Sequence, residues 1–330
     1  MARPPAEALV PQRASTIPAR GADAVDVSVL VPAKDEAENL PLFMEQAAAA
    51  FRGSGASYEV IVVDDGSVDD TWNVLQRLAE RHPFLRLERH RARRGIADAL
   101  RTGYLASRGR VLVFYPADLQ FKPEDIPRLV APILADEADM VTGFKEGKYE
   151  KRFVSSVYNA LSRTLFHVPV RYLNSVKAYR REIMDVLPVR PDWHRYMIVI
   201  AAAEGFSVTE IPVPLYPRHA GRSKFGIGRI PIGVLDMLSV WFELRFGKKP
   251  LLLFGMLGAL LFALGVLSGL VALGILVFEG VGIRAVWTII QTCLILGSVF
   301  FVGGLLGEMI AVQRAEMREL RRRLDDVAGR

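Results

Sequence analysis

The chain of 330 residues has a single cysteine, Cys293, and only five histidines. One thiol excludes a disulfide framework and a cysteine-based metal cluster. Cys293 sits in an apolar run, where a lone cysteine is ordinarily a packing residue. No internal repeat is visible. Residues 1–25 are rich in alanine, proline and arginine and lack an apolar h-region, which points to a disordered tail rather than a signal peptide or a span. Charge is missing where it is most telling. Residues 251–278 contain no Asp, Glu, Lys or Arg, and neither do residues 285–307. A bilayer core of about 30 Å needs about 20 such residues, so each run is long enough to cross it. Two buried core helices would explain the runs less well at this length.

What is present starts with charge. The formal net charge is +6 and 51% of the residues are hydrophobic. A basic balance suits nucleic acid or an anionic membrane surface. The two uncharged runs decide for the membrane, and no nucleic-acid partner is expected. Lys248 and Lys249 precede the first run, and Arg314, Arg318 and Arg321, Arg322 and Arg323 follow the second. By the positive-inside rule, both termini are expected in the cytoplasm of a multi-pass protein of the cell inner or plasma membrane. Residues 308–330 form a charge-laced amphipathic tail, equally suited to a solvated face or an oligomer contact.

The remainder alternates short β-branched runs with helical patterns. Strands are expected at 27–31, 58–63, 85–89, 110–115 and 138–142, and near 208–213. Helices are expected up to about Phe51, over 71–81, from Gly95 to Ala106, after Pro123, over 153–166 and near 193–204. A short segment at 173–179 is left between them. Such alternation implies an α/β fold with a doubly wound, mostly parallel sheet. Residues 230–246 have apolar residues at helical spacing and read as interfacial amphipathic helices. The expected division is a catalytic domain over 26–229, interfacial helices over 230–250, a two-helix transmembrane hairpin over 251–307 and the tail.

The organising stretch is Val62-Val63-Asp64-Asp65-Gly66-Ser67-Val68-Asp69-Asp70-Thr71. A strand ends in two carboxylates and a glycine, and a helix follows. Open α/β sheets bind ligands at that edge. Asp64 and Asp65 suit a ribose hydroxyl or a base N–H, or serve only as caps and turns.

Four strings together resemble a known family. VPAKDEAENL and VVDDGSVDDT are similar to the first two motifs of inverting nucleotide-sugar glycosyltransferases with the GT-A fold. PADLQF resembles their acidic metal motif. PRHAGRSKFG resembles the RxxGxSK loop of the polyprenyl-phosphate branch, which includes dolichyl-phosphate mannose synthase and bactoprenol glucosyltransferases with two C-terminal spans. The resemblance implies nucleotide-sugar binding by Pro32, Lys34, Glu36, Asp64, Asp65, Ala117 and Lys145. Lys34 stands where many relatives carry tyrosine, and Glu36 also suits a helix start. The resemblance implies a Mg²⁺ or Mn²⁺ ion on Asp118 and Gln120, weakened because Pro116 replaces the first Asp of the DxD. It implies catalytic roles for Asp118, Arg218 and Lys224, and acceptor-phosphate contacts for Arg195, Arg218, Ser223 and Lys224. A plain turn at Asp118 and a lipid-headgroup patch at 218–224 are the bland alternatives.

The expected reaction moves a hexose or hexose derivative from a UDP- or GDP-sugar, UDP favoured, to polyprenyl phosphate at the cytoplasmic face, with inversion. His167, His194 and His219 are expected as surface or capping residues, not as a general base. A homo-oligomer, with a tetramer as one option, is expected from the resemblance. The alternatives are a non-catalytic nucleotide-sugar-binding scaffold and a polysaccharide synthase-type transferase. The second usually carries a Gln-x-x-Arg-Trp motif and more spans, which this chain does not show.

Overall fold

The computed structural model describes residues 25–146, 165–166, 173, 175–187, 193–220, 230–247, 249–280 and 284–327. The expected helix at 153–166 falls outside them except for its last two residues, and so do residues 1–24, Ser223 and Lys224. Two units are formed, Met1–Ile230 and Pro231–Arg330.

The first unit is built on seven strands: β1 (Val27–Ala33), β2 (Tyr58–Asp64), β3 (Leu85–Arg89), β4 (Val111–Phe114), β5 (Met140–Glu146), β6 (Lys177–Arg180) and β7 (Val208–Pro214). Their order in the sheet is β3-β2-β1-β4-β6-β5-β7. All pairings are parallel except those of β6, which runs antiparallel to β4 and β5. The β-branched cores of β1 and β2 are fully buried, as strands covered on both faces must be. Helices α1 (Leu40–Phe51), α2 (Thr71–Arg81), α3 (Ile96–Ala106) and α4 (Ile126–Leu134) connect the first five strands. Short helices α5 (Ile183–Val186) and α6 (Met197–Ala203) follow β6. Phe43, Met44, Leu75, Leu129 and Ile133 bring three of these helices onto the sheet.

Chain order reverses at β1, which has β2 on one side and β4 on the other. That is the switch point where the carboxyl ends of parallel strands open a crevice. The amino ends are closed by charge pairing. Glu59 is buried on β2 and accepts from Ser28 Oγ at 2.7 Å and from the Arg108 N–H at 2.7 Å. Burial pushes the Glu59 pKa up, but those bonds and Arg86 outweigh it and leave the carboxyl below its ordinary value.

Several boundaries differ from the expectations. The fifth strand begins at Met140, not at 138, because residues 135–138 turn back onto α4: the N–H groups of Glu137 and Ala138 donate to Pro132 O. Pairing with β7 then carries it on to Glu146. Residues 193–204 divide into a 3₁₀ turn, Trp193–Arg195, and α6.

The second unit holds α7 (Ile230–Phe246), α8 (Pro250–Glu279) and α9 (Arg284–Val327). Residues 230–246 form one helix rather than several, and its apolar side chains are not confined to one stripe. Met237 and Val240 are buried, whereas Val234, Leu235 and Leu238 are exposed. It stops where Gly247 donates its N–H to Glu243 O, ahead of Pro250. Helix α8 ends at Gly280, which adopts the left-handed φ of 71°. The second span and the tail are one unbroken helix, since nothing from Glu308 to Val327 is a proline or glycine. Helices α8 and α9 touch backbone to backbone. A Cβ on Gly258 would lie 2.5 Å from Phe301 N, and one on Gly297 would lie 2.6 Å from Phe262 N. Among the described residues, α8 and α9 are the two helices long and apolar enough to span a membrane.

Candidate active site

The site builds up from the carboxyl ends of β1, β2 and β4. The register sets Ala33 beside Asp64, and Asp64 beside Arg89. The loops after β1 and β2 are laced together. Asp35 N–H donates to Ser67 Oγ, Val68 N–H donates to the Asp35 carboxylate, and Glu36 N–H donates to Thr71 Oγ1, each at 2.9 Å. Lys34 donates its ammonium to Gly66 O, so it is turned onto the second loop. Glu36 accepts from Asn39 Nδ2 at 2.5 Å, at the start of α1. Pro32 pairs with Val63 inside the sheet.

The two adjacent aspartates have different tasks. Asp64 is fully buried; its Oδ1 accepts the Ser67 N–H at 2.9 Å and its Oδ2 lies 3.2 Å from Arg89 Nε. The Arg89 guanidinium stacks over Trp72. Asp65 reaches across to the basic loop that opens α3. Its Oδ1 accepts the Arg94 N–H at 2.7 Å and lies 2.8 Å from His90 Nδ1, while Oδ2 accepts the Gly95 N–H at 2.8 Å. His90 Nε2 faces Thr102 Oγ1 at 2.9 Å, and because a carboxylate only accepts, Nδ1 donates to Asp65. Burial alone would raise the Asp65 pKa, but these hydrogen bonds outweigh it and hold the carboxyl below its ordinary value. Gly66 is required between the loops: its φ is 68°, and a Cβ there would meet Ala92 C at 2.7 Å.

The third part follows β4. Tyr115 is buried and donates its hydroxyl to Lys122 O. Pro116, buried Ala117 and Asp118 lead to Leu119, held at a φ of 56° that turns the chain sharply. Asp118 Oδ1 accepts the Gln120 N–H at 3.3 Å. Its Oδ2 lies 2.9 Å from the guanidinium of Arg218, which arrives in the segment after β7. Arg218 also donates to Gln120 Oε1 at 3.4 Å, and Tyr216 N–H donates to Gln120 O at 2.9 Å. So Asp118, Gln120 and Arg218, three candidates from two distant motifs, meet at one point. The Asp118 and Gln120 oxygens converge on a single cation, here the guanidinium. Hard oxygens converging in that way also suit Mg²⁺ or Mn²⁺, which complete their shells with water and ligand phosphate. Among the described residues no cluster of three His, Cys, Asp or Glu forms a fuller cage.

Arg195 lies on the 3₁₀ turn at Trp193–Arg195. The ring of His194 stands edge-on to Phe114, the last residue of β4. Lys177, fully buried on β6, ties this turn down by donating to His194 O at 3.0 Å and Leu173 O at 3.3 Å. Burial pushes the Lys177 pKa down to about 7. Burial, with help from Lys177 and Arg195, pushes His194 down to about 3, which leaves it a poor base. His194 is therefore a core residue rather than a surface one. Lys145 sits on β5 opposite Val213. Sequence reasoning missed His90, Arg94 and Gly95 as partners of Asp65, and Lys177 as the anchor of the Arg195 turn. The run Arg91-Ala92-Arg93-Arg94-Gly95, basic and placed at a strand-to-helix junction, was the available signal for the first three.

Comparison with known proteins shows the family and the fold. Residues 28–186 match the model of glycosyl transferase family 2. The dodecaprenyl-phosphate galacturonate synthase of Rhizobium johnstonii is 31% identical over 299 residues, covering 87% of this chain and 88% of that protein. This chain belongs to glycosyl transferase family 2. Another relative, the undecaprenyl-phosphate 4-deoxy-4-formamido-L-arabinose transferase of Sodalis glossinidius, is 30% identical over 86% of this chain and 88% of its own length. Among solved structures, glucosyl-3-phosphoglycerate synthase from Mycobacterium tuberculosis, in complex with Mn²⁺, UDP and glucosyl-3-phosphoglycerate, aligns with a TM-score of 0.55. At 21% identity, over 66% of this chain and 80% of that one, the likeness shows the fold, and the GT-A expectation holds. The family match covers the β1 loop, the two aspartates and the Asp118 motif, while Arg218 lies beyond it.

Proposed function

We propose that this protein transfers a hexose or hexose derivative from a UDP- or GDP-sugar to the phosphate of a polyprenyl phosphate, with inversion, at the cytoplasmic membrane face. The observation that carries the reading is the meeting of Asp118, Gln120 and Arg218 at the carboxyl edge of the sheet, in a chain with two membrane-length helices. The full-length relatives named for dodecaprenyl- and undecaprenyl-phosphate transfer support the acceptor. UDP is the favoured nucleotide.

The acceptor phosphate needs no general base, because its second pKa of about 6 leaves it mostly dianionic at neutral pH. Its oxygen forms a bond to the anomeric carbon as the bond from that carbon to the diphosphate breaks. Attack opposite the leaving group inverts the centre, and the electron pair departs on the nucleoside diphosphate. What the site must supply is charge stabilisation at that diphosphate. Arg218 is positioned for it. Asp118 and Gln120 would hold a divalent cation, which supplies a further positive charge to the diphosphate. Asp65 fixes the loop bearing Arg94 and Gly95, and Pro32, Lys34, Glu36, Asp64, Ala117 and Lys145 shape the nucleotide-sugar side. Arg195, Ser223 and Lys224 receive the acceptor phosphate, with Lys224 sharing the catalytic charge. Lys248, Lys249 and the arginines after residue 313 support a topology with both termini in the cytoplasm.

A donor panel tests the proposal. Detergent-purified protein receives polyprenyl phosphate, Mg²⁺ or Mn²⁺, and UDP-glucose, UDP-N-acetylglucosamine, UDP-galactose, UDP-galacturonate or GDP-mannose. One donor is expected to give a lipid-linked sugar, and EDTA to depress that transfer. Donor binding without transfer, whatever lipid is supplied, would favour a scaffold in which Pro116 marks a lost metal site.

A further inference from the structure

The cation position between Asp118 and Gln120 is filled by the protein itself. One nitrogen, Nη2 of Arg218, lies 2.9 Å from Asp118 Oδ2 and 3.4 Å from Gln120 Oε1. The other carboxylate oxygen, Oδ1, is turned to the Gln120 N–H. A Mg²⁺ ion bonds its oxygens at about 2.0–2.1 Å, so it must stand closer to them than Nη2 does. An ion bridging Oδ2 and Oε1 falls on the side where the two converge, and that side holds the guanidinium. Asp118 is buried and the Arg218 side chain mostly so, which leaves little water to screen one cation from another. The backbone on either side of Arg218 is pinned. Tyr216 N–H donates to Gln120 O at 2.9 Å, Lys122 Nζ stands 4.6 Å from the centre of the Tyr216 ring, and Asn39 Nδ2 donates to Ala220 O at 3.5 Å. The guanidinium can therefore leave by a swing of its side chain, with the loop in place.

We infer that Arg218 is a placeholder cation, which closes the Asp118–Gln120 site to a divalent ion until a nucleoside diphosphate draws the guanidinium away. The inference rests on the reading of this site as one for a nucleotide and a divalent cation. The charges balance only in this chain's form of the motif. Pro116 leaves Asp118 as the sole carboxylate from 116 to 120, and one guanidinium neutralises it. A second carboxylate would leave a negative charge over and keep the site attractive to a metal ion. Without a partner, Asp118 would be a buried charge with nothing to compensate it. A diphosphate changes the balance. It offers the guanidinium oxygens of higher charge in a bidentate arrangement. Its remaining oxygens also help to complete the shell of the incoming ion. Ion and nucleotide then enter together, each strengthening the binding of the other.

Manganese binding to the full chain in detergent tests it, read from the EPR signal of free Mn²⁺ with no nucleotide present. Arg218→Met, which keeps the length of the side chain, and Arg218→Ala are each expected to bind Mn²⁺ about tenfold more tightly than wild type, the scale of one charged hydrogen bond. Lys122→Gln removes a positive charge from the same loop without freeing either oxygen, and it is expected to keep the wild-type affinity. Adding Asp118→Asn to Arg218→Met is expected to abolish the gain. No gain in either Arg218 variant, an equal gain in Lys122→Gln, or a gain that survives Asp118→Asn would overturn the inference. Transfer in the donor panel is read separately. An active enzyme whose Mn²⁺ affinity ignores Arg218 would sink the placeholder and leave the transferase reading standing.

Discussion

Asp118→Ala is expected to lower transfer by about 10²–10³-fold, the scale for removing one charge-stabilising group from an active site. Pro116 leaves Asp118 as the sole carboxylate in Pro116-Ala117-Asp118-Leu119-Gln120. Its removal takes away one of the two oxygens that converge on the cation position, and it frees Arg218 from its 2.9 Å partner. Arg218→Ala removes the guanidinium itself and should cost about as much. Residues that act as a unit are not additive, so the double variant should be little worse than either single one. Asp118→Asn keeps an acceptor for the Gln120 N–H but loses the charge, and it should fall between. Thermal stability should also fall, because Asp118 is buried and its removal takes the carboxylate from the mostly buried Arg218 guanidinium. Turnover of each variant, followed beside its melting temperature, checks this. Near-wild-type turnover in Asp118→Ala would remove Asp118 from the reaction centre, and additive losses in the double variant would show that Asp118 and Arg218 do not act as one unit.

Asp65→Asn should act on the fold and on donor binding together. The carboxylate takes three hydrogen bonds, from His90 and from the N–H groups of Arg94 and Gly95. An asparagine amide has one acceptor oxygen, so at least one buried donor loses its partner, at about 1–3 kcal/mol for each group left unsatisfied. The pH dependence has a definite sign. The folded-state pKa of Asp65 is lowered, so its contribution is complete above the unfolded value of about 3.9 and is lost as the pH falls through the lower folded value. The stability gap between wild type and Asp65→Asn should therefore be constant from about pH 5 to 8 and shrink below about pH 4. Denaturant midpoints across that range measure it. A gap that widens toward acid would show that Asp65 is not held as its ionised, hydrogen-bonded form.

The parts of the fold that were legible in the sequence are those where local pattern and tertiary demand coincide. Strands β1 and β2 are β-branched runs bounded by turn residues, β3 alternates Leu85 and Leu87 with charged residues, and α2 begins after a cluster of capping acids. Strand β6 was hidden because it is four residues long and carries Lys177, a charge that burial on both faces would ordinarily exclude. The start of β5 moved because the chain folds back on α4, a contact that no period reveals. In the site, motif strings brought Asp118, Gln120 and Arg218 to attention. That Arg218 touches the other two, from 98 residues beyond Gln120, follows only from the meeting of the β4 and β7 loops. The Asp65 network spans 25 to 30 residues and was invisible for the same reason. Family resemblance named the aspartate, and the fold shows what it holds.

The most direct measurement of the central claim is ³¹P NMR of the acceptor during turnover with the productive donor. The account predicts that the polyprenyl monoester signal is replaced by that of a phosphodiester to the sugar, as nucleoside diphosphate appears in equal amount. Release of nucleoside diphosphate and free sugar with the lipid monoester unchanged would contradict it.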